Sequence, residues 1–546
     1  MAMLTQLTGL LADVALGLPR RSVPYEVRRD VPVPMPDGVA LLGDHYLPTG
    51  AQRPRPVVLI RLPYGRGGLF GQVFAAPLAR QGFQVFAQAT RGTFGSGGQF
   101  RPFTAEKDDG LATLAWLREQ PWCDGRVAMT GGSYFGHTQW AVAPYADPPL
   151  VCVSPHITSA NVTNRLFYDH GVPQIQTALS WSAQIGRQER GSLPSPVVKA
   201  RVRRTLDQLP LQAADVAVAD APVPFWRDWI AHSEPGDTFW SQADHDAGYD
   251  RMPPANMVTG WWDLFLGGNL ADYTALREAG NPARLIVGPW LHGEIGELRA
   301  ILRTDVAWLD HHLNGGSAPT GAPVRVYLQQ ADRWLGFESW PPAAAGEQVL
   351  HLRRGGRLGD EPEAGGAEPR RFTYDPADPT PAVGGPLLQP PGKQADNTAV
   401  EGRSDVLTYT GPVLRSAVDV VGPVSATVHV RTELPYADVF VRLCDVDEKG
   451  VSRNVVDGIR RLDPRAPDNP EADDEGVRAV AVELFPTAYR FRAGHRLRVQ
   501  VSGGAFPRYA RNPGTPEPFG VATGGRSCGF EVFPAGSRIT LAVLRG

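Results

Sequence analysis

The sequence predicts an α/β fold with a mostly parallel sheet, an inserted helical segment and an all-β domain at the carboxyl end. Three observations lead to this prediction. Apolar runs of strand length alternate with segments of helical spacing in residues 1–149 and again in 251–342, as they do in α/β domains. Residues 150–250 show helical spacing, many alanines and four tryptophans. In residues 343–546, short alternating runs are separated by Gly, Pro, Asn and Asp, which is typical of a β-sandwich.

Length and composition limit the classes of protein to which this chain can belong. Because 546 residues exceed what one hydrophobic core holds, we expect the four segments above to form more than one domain. A net charge of −3 gives no electrostatic field for nucleic acid, so nucleic-acid binding is not expected. The sequence has no run of about 18 uncharged apolar residues, so no membrane span is expected either.

Cysteine usage and the amino-terminal segment bear on the compartment. The four cysteines lie far apart and are predicted to be reduced, buried thiols. The segment Met1–Pro19 is mildly apolar, but Asp13 interrupts it and no basic region precedes it. A signal peptide is therefore not favoured, and we expect a cytoplasmic protein. A homodimer is compatible with this composition.

The elements of the α/β part follow from apolar runs and from the turn residues that bound them. The predicted elements are, in chain order, an antiparallel hairpin over Val27–Pro48, a strand over Arg55–Leu62, a helix over Phe74–Gln81, a strand over Phe83–Gln88, a helix over Asp109–Gln120, and strands over Val127–Thr130, Ala255–Gly260 and Arg284–Gly288. In such a sheet the functional groups lie in the loops that follow the carboxyl ends of the strands.

In the carboxyl-terminal part, alternation of apolar and polar residues predicts several short strands, over Ala426–Arg431, Asp438–Val446, Arg496–Val501 and Arg538–Leu544. The segment Gly355–Gly385 is poor in hydrophobic residues and is predicted to be a long loop. No strand is predicted within the helical segment Ser159–Asp250.

A Gly-Gly-Ser turn after the strand Val127–Thr130 is the motif most suggestive of chemistry. A strand, a serine and a helix in succession form a nucleophile elbow, whose sharp turn needs small neighbours such as Gly131 and Gly132. A second glycine is usual two residues after the serine, but Phe135 stands there and Gly136 follows it. The alternative interpretation is an ordinary N-capping serine at Ser133.

Three residues, each placed just after a predicted strand, complete a catalytic pattern. Ser133, Asp263 and His292 follow the chain order Ser, Asp, His of an α/β-hydrolase triad. A serine hydroxyl becomes a good nucleophile only when an imidazole takes its proton, and a carboxylate must fix that imidazole. Taken singly, Asp263 could be a helix N-cap and His292 a packed, hydrogen-bonded histidine.

Several motifs together resemble the cocaine esterase and X-Pro dipeptidyl-peptidase family of serine hydrolases, over nearly the whole chain. In the α/β part these motifs are Val31–Gly38, Leu62–Tyr64, Thr90–Gly92, Pro121–Gly125, Gly131–Gly136, Gly260–Asp263 and Gly288–His292. In the carboxyl-terminal part they are Asp332–Trp334, Ser339–Pro342, Gly494–Val499 and Phe506–Pro513. The spacing Gly-x-Ser-Tyr-x-Gly around the serine is the family's own.

The resemblance implies an α/β-hydrolase core, a helical cap inserted between the serine and the aspartate, and a carboxyl-terminal jelly roll. It also implies an oxyanion hole made by the backbone N–H of Tyr134 and the phenol of Tyr64. The position of Tyr64, on a loop after a buried strand, is compatible with that role. A core tyrosine with a solvated tip is the alternative.

The residues around the triad suggest a small-molecule ester substrate with an apolar or aromatic acyl group. Phe265 follows the aspartate between two leucines, and the resemblance places Phe167 and Trp181 of the cap around the acyl group. Within the family the alternatives are an X-Pro dipeptidyl peptidase and an α-amino acid ester hydrolase or acylase, which need carboxylates for a substrate ammonium, and Asp169 is a candidate. A binding protein without catalytic turnover is the alternative from another class.

Two further features receive structural interpretations. His311 and His312 point about 100° apart if they are helical, and nothing of metal-ligand type is spaced with them, so neither a metal nor any other cofactor is expected. Arg91, in a glycine-rich loop, is predicted to hold that loop through an ion pair.

Overall fold

The computed structural model describes residues 13–14, 16–19, 21–50, 53–68, 70–190, 195–235, 237–388 and 392–545. The chain divides into two compact units. The first unit falls within Met1–Val162, Trp240–Gly260 and Gly268–Arg325, and the second within Thr163–Phe239, Trp261–Gly267 and Val326–Gly546. The four-segment division expected from the sequence stays a prediction.

Strands and helices alternate through the first part of the chain, and strands dominate the last part. The strands are β1 (Tyr25–Pro34), β2 (Ala40–Pro48), β3 (Arg55–Leu62), β4 (Gln84–Ala89), β5 (Cys123–Gly132), β6 (Val153–His156), β7 (Tyr168–Asp169), β8 (Val172–Pro173), β9 (Ala255–Trp262), β10 (Ala283–Leu291), β11 (Val324–Leu328), β12 (Arg333–Phe337), β13 (Ala345–Arg353), β14 (Arg357–Gly359), β15 (Arg370–Tyr374), β16 (Val406–Thr410), β17 (Val418–Thr432), β18 (Ala437–Val446), β19 (Ser452–Leu462), β20 (Arg478–Phe491), β21 (Arg496–Ser502) and β22 (Cys528–Leu544).

The α-helices are α1 (Ala76–Arg80), α2 (Glu106–Arg118), α3 (Tyr134–Trp140), α4 (Ile175–Ile185), α5 (Ser195–Leu206), α6 (Ala214–Ala219), α7 (Pro224–Ala231), α8 (Leu266–Glu278), α9 (Ile295–Asn314) and α10 (Thr398–Glu401). Short 3₁₀ and π turns connect them, at Gly71–Ala75, Ala143–Tyr145, Thr163–Phe167, Leu211–Ala213, Phe239–Ala243, Asp246–Arg251 and Arg354–Gly356.

The sheet of the first unit explains where its loops converge. Its strands follow the order β1-β2-β4-β3-β5-β6-β9-β10. The hairpin β1–β2 and the pair β2–β4 are antiparallel, whereas β4, β3, β5, β6 and β9 run parallel to one another. Because parallel strands end at the same edge, the loops after β3, β5 and β6 lie along one side of the sheet. The predicted hairpin and the parallel strands are thereby confirmed.

Two strands of this sheet continue further than the sequence predicts. The two strands were predicted to end at Gly260 and Gly288, but β9 continues to Trp262 and β10 to Leu291. Glycine allows this continuation, because a Cβ at Gly260 would lie 2.3 Å from the carbonyl oxygen of Trp290. At Gly288, a Cβ would lie 2.4 Å from the Trp290 ring. The tryptophans of these segments therefore belong to the strands and not to the loops.

The helical segment of the second unit is built on α4, whose residues are almost all buried. Its aromatic residues form a cluster with α7, in which the rings of Trp181 and Phe225 lie 5.1 Å apart and those of Phe225 and Trp229 lie 5.4 Å apart. The prediction of no strand here was wrong, because β7 and β8 form a two-residue hairpin, pairing Asp169 with Val172. A pairing this short leaves no periodicity in a sequence.

The carboxyl-terminal strands form one strongly curved sheet, in the order β19-β18-β21-β16-β14-β13-β22-β17-β20. Its ends approach each other so closely that a Cβ at Gly458 of β19 would lie 1.9 Å from the carbonyl oxygen of Glu483 on β20. The result is a near-barrel around a core of Val, Leu and aromatic side chains. Together with the mixed α/β sheet of the first unit, it confirms the predicted fold class.

The prediction of a long loop over Gly355–Gly385 was wrong in part, because β14 and β15 lie within it. Strand β15 pairs with β22, and Phe372 stacks on Phe530 with ring centroids 4.6 Å apart. A partner more than 150 residues away in the sequence thus supplies the order that local composition does not indicate.

The amino-terminal segment and the cysteines bear on the compartment predictions. Residues 1–12 of the segment considered as a signal peptide lie outside the described residues, whereas Asp13 forms a buried ion pair with Arg80. All four cysteines are buried, as predicted, and none of them forms a disulfide. Among the described residues, no helix combines the length and the apolar character that crossing a bilayer requires.

Candidate active site

Ser133 lies at a sharp turn between β5 and α3 with strained backbone angles, φ 59° and ψ −128°. The flanking glycines make this turn feasible. A Cβ at Gly131 would lie 2.1 Å from Cδ2 of Phe135, and one at Gly132 would lie 2.8 Å from Cγ1 of Ile157. A serine held in such a conformation is the geometry of a nucleophile elbow.

The unusual glycine spacing after the serine has a packing explanation. Phe135, at the place where a glycine is usual, is buried and contacts Phe74 edge to face, with ring centroids 4.9 Å apart. The close approach occurs one residue later. A Cβ at Gly136 would lie 2.7 Å from Cγ2 of Thr158 and 2.8 Å from the carbonyl oxygen of His156. The required glycine is therefore Gly136, the one that the family spacing contains.

The backbone of Ser133 is fixed from the neighbouring strand. Its N–H donates to the carbonyl oxygens of His156 and Ile157, at 3.0 and 3.1 Å. The His156 side chain is itself held, because its Nε2 lies 2.9 Å from Oδ1 of Asp305 on α9. Oδ2 of the same carboxylate accepts the hydroxyl of Thr130, on β5, at 2.6 Å. Helix α9 thus anchors both strands that support the nucleophile.

His292 is the first residue after β10, and its Nε2 lies 3.1 Å from Oγ of Ser133. Two carboxylates at the start of α9 shape this turn. Glu294 accepts the N–H of Leu291 at 3.0 Å, and Glu297 accepts the N–H of Gly293 at 2.7 Å. Hydroxyl and imidazole are thus within the distance that proton transfer requires.

Asp263 follows the last residue of β9 directly and is fully buried. Its Oδ1 accepts the N–H of Phe265 at 2.7 Å, which forms a local turn before α8. A carboxylate has two oxygens with several acceptor positions, so this bond is compatible with the predicted action on His292. The pairing of Asp263 with His292 stays a prediction.

The rings of the two predicted oxyanion-hole residues contact each other. Tyr134 begins α3, and its buried side chain packs on Phe103 with ring centroids 4.7 Å apart. Tyr64 lies in the loop after β3, where its half-buried ring stacks on Phe70 at 4.9 Å and meets Tyr134 edge to face at 6.5 Å. The role of Tyr64 as an oxyanion donor stays a prediction.

The predicted acyl-pocket residues are buried aromatic side chains of the second unit. The ring of Phe167 lies 3.9 Å from that of Trp229, on which Trp181 stacks at 6.1 Å. Phe265 is buried in the turn after Asp263. Phe167 and Trp229 also line a cavity of about 20 Å³, which has room for about one water molecule. The acyl-binding role of these three residues stays a prediction.

Four buried polar side chains that support the site are not predicted from the sequence. Arg61, Glu106, His156 and Asp305 are all buried. A signal was present for Arg61, because a single charged residue interrupts the apolar run of β3. Charged groups are rarely buried without a partner, so that arginine pointed to a buried carboxylate elsewhere in the chain.

The other residues considered from the sequence have structural environments. Arg91 forms the predicted ion pairs, with Asp109 at 2.6 Å and with Asp37 at 2.7 Å. Nδ1 of His311 contacts the carbonyl oxygen of Gly316 at 2.9 Å, at the end of α9. Within the part of the chain that the structure describes, no three His, Cys, Asp or Glu side chains cluster as metal ligands do.

Comparison with known proteins shows the family to which this chain belongs. The model of the X-Pro dipeptidyl-peptidase (S15) family matches residues 37–294, and that of the X-Pro dipeptidyl-peptidase C-terminal non-catalytic domain matches residues 319–523. Cocaine esterase from Rhodococcus sp. (strain MB1 Bresler) is 33% identical over 542 residues, which cover 90% of this chain and 93% of that protein. The chain belongs to the cocaine esterase and X-Pro dipeptidyl-peptidase (S15) family. It is therefore a serine hydrolase of that family.

This family member also resembles solved structures in its fold. An aminopeptidase from a marine sediment archaeon, Thaumarchaeota archaeon, superimposes with a TM-score of 0.79 at 24% identity, covering 97% of this chain and 99% of that one. An α-amino acid ester hydrolase gives the same TM-score and identity, covering 95% and 96%. At 24% identity, these superpositions show that the two proteins and this chain share a fold, and nothing further.

Proposed function

We propose that the protein is a serine esterase that cleaves carboxylic esters with a neutral, apolar or aromatic acyl group through an acyl-enzyme on Ser133. The observation that carries this proposal is the 3.1 Å contact between Nε2 of His292 and Oγ of Ser133, at a nucleophile elbow. The name of the cocaine esterase relative, which covers most of both chains, supports an ester as the substrate class.

The proposed reaction has two halves. In the first, His292 takes the hydroxyl proton of Ser133 while Oγ attacks the ester carbonyl carbon; the imidazolium then gives that proton to the departing alcohol. In the second, His292 takes a proton from water, whose oxygen attacks the acyl carbon; as the bond from that carbon to Oγ breaks, the imidazolium returns the proton to Oγ, which releases the acid and the free serine. Asp263 would fix the imidazole tautomer and stabilise its charged form.

The proposed oxyanion hole stabilises the tetrahedral intermediate in both halves. The backbone N–H of Tyr134 and the phenol O–H of Tyr64 would donate to the oxygen that becomes negative when the carbonyl carbon is attacked. Such donors act mainly in the transition state, because the ground-state carbonyl oxygen carries less charge and lies in a different place.

The surroundings of Asp263 favour neutral acyl groups. The residues that follow it, Leu264, Phe265 and Leu266, are all buried and offer no polar side chain. An ammonium entering an apolar pocket loses its hydration without gaining a partner, which costs several kcal/mol. Asp169, the carboxylate considered as an anchor for such an ammonium, is partly buried and accepts a hydrogen bond from the phenol of Tyr509. Burial also raises the pKa of Asp169, which disfavours its charged form.

The first experiment tests whether the protein is a serine hydrolase in solution. We expect a fluorophosphonate to label the wild-type protein, and Ser133→Ala to abolish both labelling and ester turnover, because the covalent intermediate needs the hydroxyl. Ser502→Ala, which removes a buried hydroxyl bonded to the Gly504 carbonyl in the near-barrel, is the control and should keep both. A folded wild-type protein that resists labelling would instead support the non-catalytic binding protein.

The second experiment tests the acyl group with matched nitrophenyl esters. We expect a phenylacetyl or benzoyl ester to be cleaved with a kcat/KM at least about tenfold above that of its α-amino counterpart, a difference of only about 1.4 kcal/mol. Aminoacyl-proline anilides in the same panel test the dipeptidyl-peptidase alternative. Equal or better cleavage of the amino ester at pH 7 would contradict the neutral pocket and favour an α-amino acid ester hydrolase.

A further inference from the structure

The phenol of Tyr134 is held by two hydrogen bonds inside the first unit. Its O–H donates to Oε1 of Glu106 at 2.7 Å, and its oxygen accepts the N–H of Phe103 at 2.9 Å. The side chain is only 2% exposed, and burial raises the pKa of the phenol, which keeps the group protonated as a donor. Both hydrogen-bonding directions of this hydroxyl are therefore used, and the ring has one orientation that satisfies them.

Glu106 is in turn paired with a buried cation. Arg61 is fully buried, and its Nη1 lies 2.9 Å from Oε2 of Glu106 and donates to the Glu106 carbonyl oxygen at 2.9 Å. Its Nε donates to Oε1 of Gln88, on the neighbouring strand, at 2.9 Å. A buried ion pair contributes little net stability compared with apolar packing, so its presence here calls for a reason other than stability.

The position of this ion pair in the chain supplies such a reason. Tyr134 directly follows the nucleophile, and its backbone N–H is one proposed oxyanion donor. Arg61 precedes Tyr64, the other proposed donor, by three residues. The two segments are also joined directly, because the hydroxyl of Thr138, on α3, donates to the Arg61 carbonyl oxygen at 3.3 Å. One buried network thus contacts both segments that carry the oxyanion donors.

We propose that Arg61 and Glu106 are positioning residues for the oxyanion hole: their ion pair fixes the Tyr134 phenol, and through it the backbone N–H that receives the developing charge. This inference rests on the proposed function, because it assigns that N–H to the transition state of ester cleavage. The N–H belongs to the first residue of α3, next to the strained Ser133, where a small rotation of the peptide changes its direction. An anchored side chain opposes that rotation.

The expected effect is specific to the transition state. Loss of one oxyanion donor lowers kcat by about 10²–10³. Loss of its anchor leaves the donor present but less well aligned, so we expect Tyr134→Phe to lower kcat by about tenfold and to change KM by less than about twofold. A trifluoromethyl ketone, which forms a tetrahedral oxyanion adduct with the serine, should lose affinity by the same factor as kcat/KM.

The matched control is Tyr489→Phe in the near-barrel. Tyr489 is also buried, donates to a carboxylate oxygen of Asp445 at 2.9 Å and accepts a bond from Gln394 at 2.9 Å. This substitution removes the same group with the same number of bonds, but from another network. We expect it to lower the melting temperature about as much as Tyr134→Phe does and to leave kcat at the wild-type value.

Glu106→Gln is the second variant, and it keeps the proposal testable if Tyr134→Phe does not fold. It retains an oxygen that can accept the Tyr134 hydroxyl but removes the charge that pairs with Arg61. We expect kcat to fall with KM nearly unchanged. The double variant with Tyr134→Phe should lose no more than the larger of the two single losses, because Glu106 acts on the oxyanion N–H only through the Tyr134 hydroxyl.

Four results would overturn the inference: a kcat of Tyr134→Phe within twofold of wild type, a loss confined to KM, an equal loss of kcat in Tyr489→Phe, or a loss in the double variant equal to the product of the two single losses. Failure of the proposed function looks different, because the wild-type protein itself would then resist fluorophosphonate labelling and leave the esters intact. A labelled, active wild type beside a fully active Tyr134→Phe contradicts the positioning role alone.

Discussion

At the scale of single residues, the site depends on side chains that lie immediately beyond strand ends. His292 follows β10 and Tyr64 lies two residues beyond β3, so each has a backbone anchored on one side and a side chain outside the sheet. Placement of this kind lets a rigid sheet fix the position of a reactive group without burying it in the core. The consequence can be tested at Tyr64, whose alternative role is core packing.

We expect Tyr64→Phe to lower kcat by roughly 10²–10³ with a smaller effect on KM, because an oxyanion donor acts mainly in the transition state. The ring stays in place, so its stacking on Phe70 and the stability of the fold should be retained. Steady-state kinetics on a nitrophenyl ester measure both constants, and thermal unfolding provides the control. An unchanged kcat would assign Tyr64 to the core.

The sequence is informative about Ser133 and His292 because each follows an apolar run that also predicts a strand end. It is not informative about Glu106, which reads as one of several acidic residues at the start of a helix. What distinguishes this glutamate is its contact with Arg61, 45 residues earlier in the chain. No local pattern encodes a contact between two buried charges so far apart, so this part of the site emerges only from the fold.

At the scale of elements, helix α9 has a role beyond covering the sheet. Asp305, near its middle, is bonded to Thr130 on β5 and to His156 on β6, the strand whose carbonyl oxygen accepts the N–H of Ser133. The helix therefore supports the nucleophile through side chains from two strands. Sequence periodicity predicts the buried face of such a helix, but not which strands its polar residues meet.

We expect Asp305→Asn to lower the free energy of unfolding by about 2–3 kcal/mol, because an amide offers one acceptor oxygen in place of two and leaves a buried polar group unsatisfied. The kcat for ester hydrolysis should fall as well, since the support of Ser133 loosens. Asp310→Asn, on the same helix and only partly buried, is the control and should change the free energy of unfolding by less than about 0.5 kcal/mol. Urea unfolding measures the free energy of unfolding of both variants, and equal decreases in the two would contradict the role of Asp305.

Strand lengths show the limit of local reasoning at this scale. The glycines 260 and 288 read as strand ends, yet both strands continue, because the missing Cβ atoms make room for Trp290. Likewise β15 forms in a segment whose composition predicts a loop, because it pairs with β22. In each case a contact with a distant segment overrides the local signal.

At the scale of the whole molecule, buried histidines link stability to pH. Burial lowers the pKa of His45 to about 4 and that of His245 to about 4, from an ordinary value of 6.5. In the unfolded chain these imidazoles take up protons near pH 6.5, whereas in the folded protein they stay neutral until about pH 4. The unfolded state therefore holds more protons between these values, and acid favours unfolding.

We expect the free energy of unfolding to fall on going from pH 7 to pH 5, by on the order of 1–2 kcal/mol for each of these histidines. His45→Gln should reduce that pH dependence, because glutamine does not titrate, while the free energies at pH 8 provide the reference. Chemical unfolding at several pH values measures the slope. An identical slope in the variant would show that His45 does not contribute.

The broad architecture and the family were predictable because they depend on features repeated along the chain: alternating strands and helices, then strands alone, with family motifs throughout. The pairing of Asp263 with His292, the acyl pocket and the segment boundaries stay predictions. The pairing and the pocket depend on where the side chains of residues such as Asp263 and Phe265 lie, and the sequence around a strand end does not define those positions. Motifs indicate which residues act, whereas their exact placement depends on packing.

The backbone of Ser133 has a consequence for selection and for protein engineering. Its φ of 59° and ψ of −128° lie in a backbone region that glycine adopts without strain, whereas other residues are strained there by about 1–3 kcal/mol. Ser133→Gly should therefore unfold at a higher temperature than Ser133→Ala, although both are inactive. A library of variants selected only for the amount of folded protein would therefore enrich Ser133→Gly, which is inactive. Such a selection must also include a test of activity.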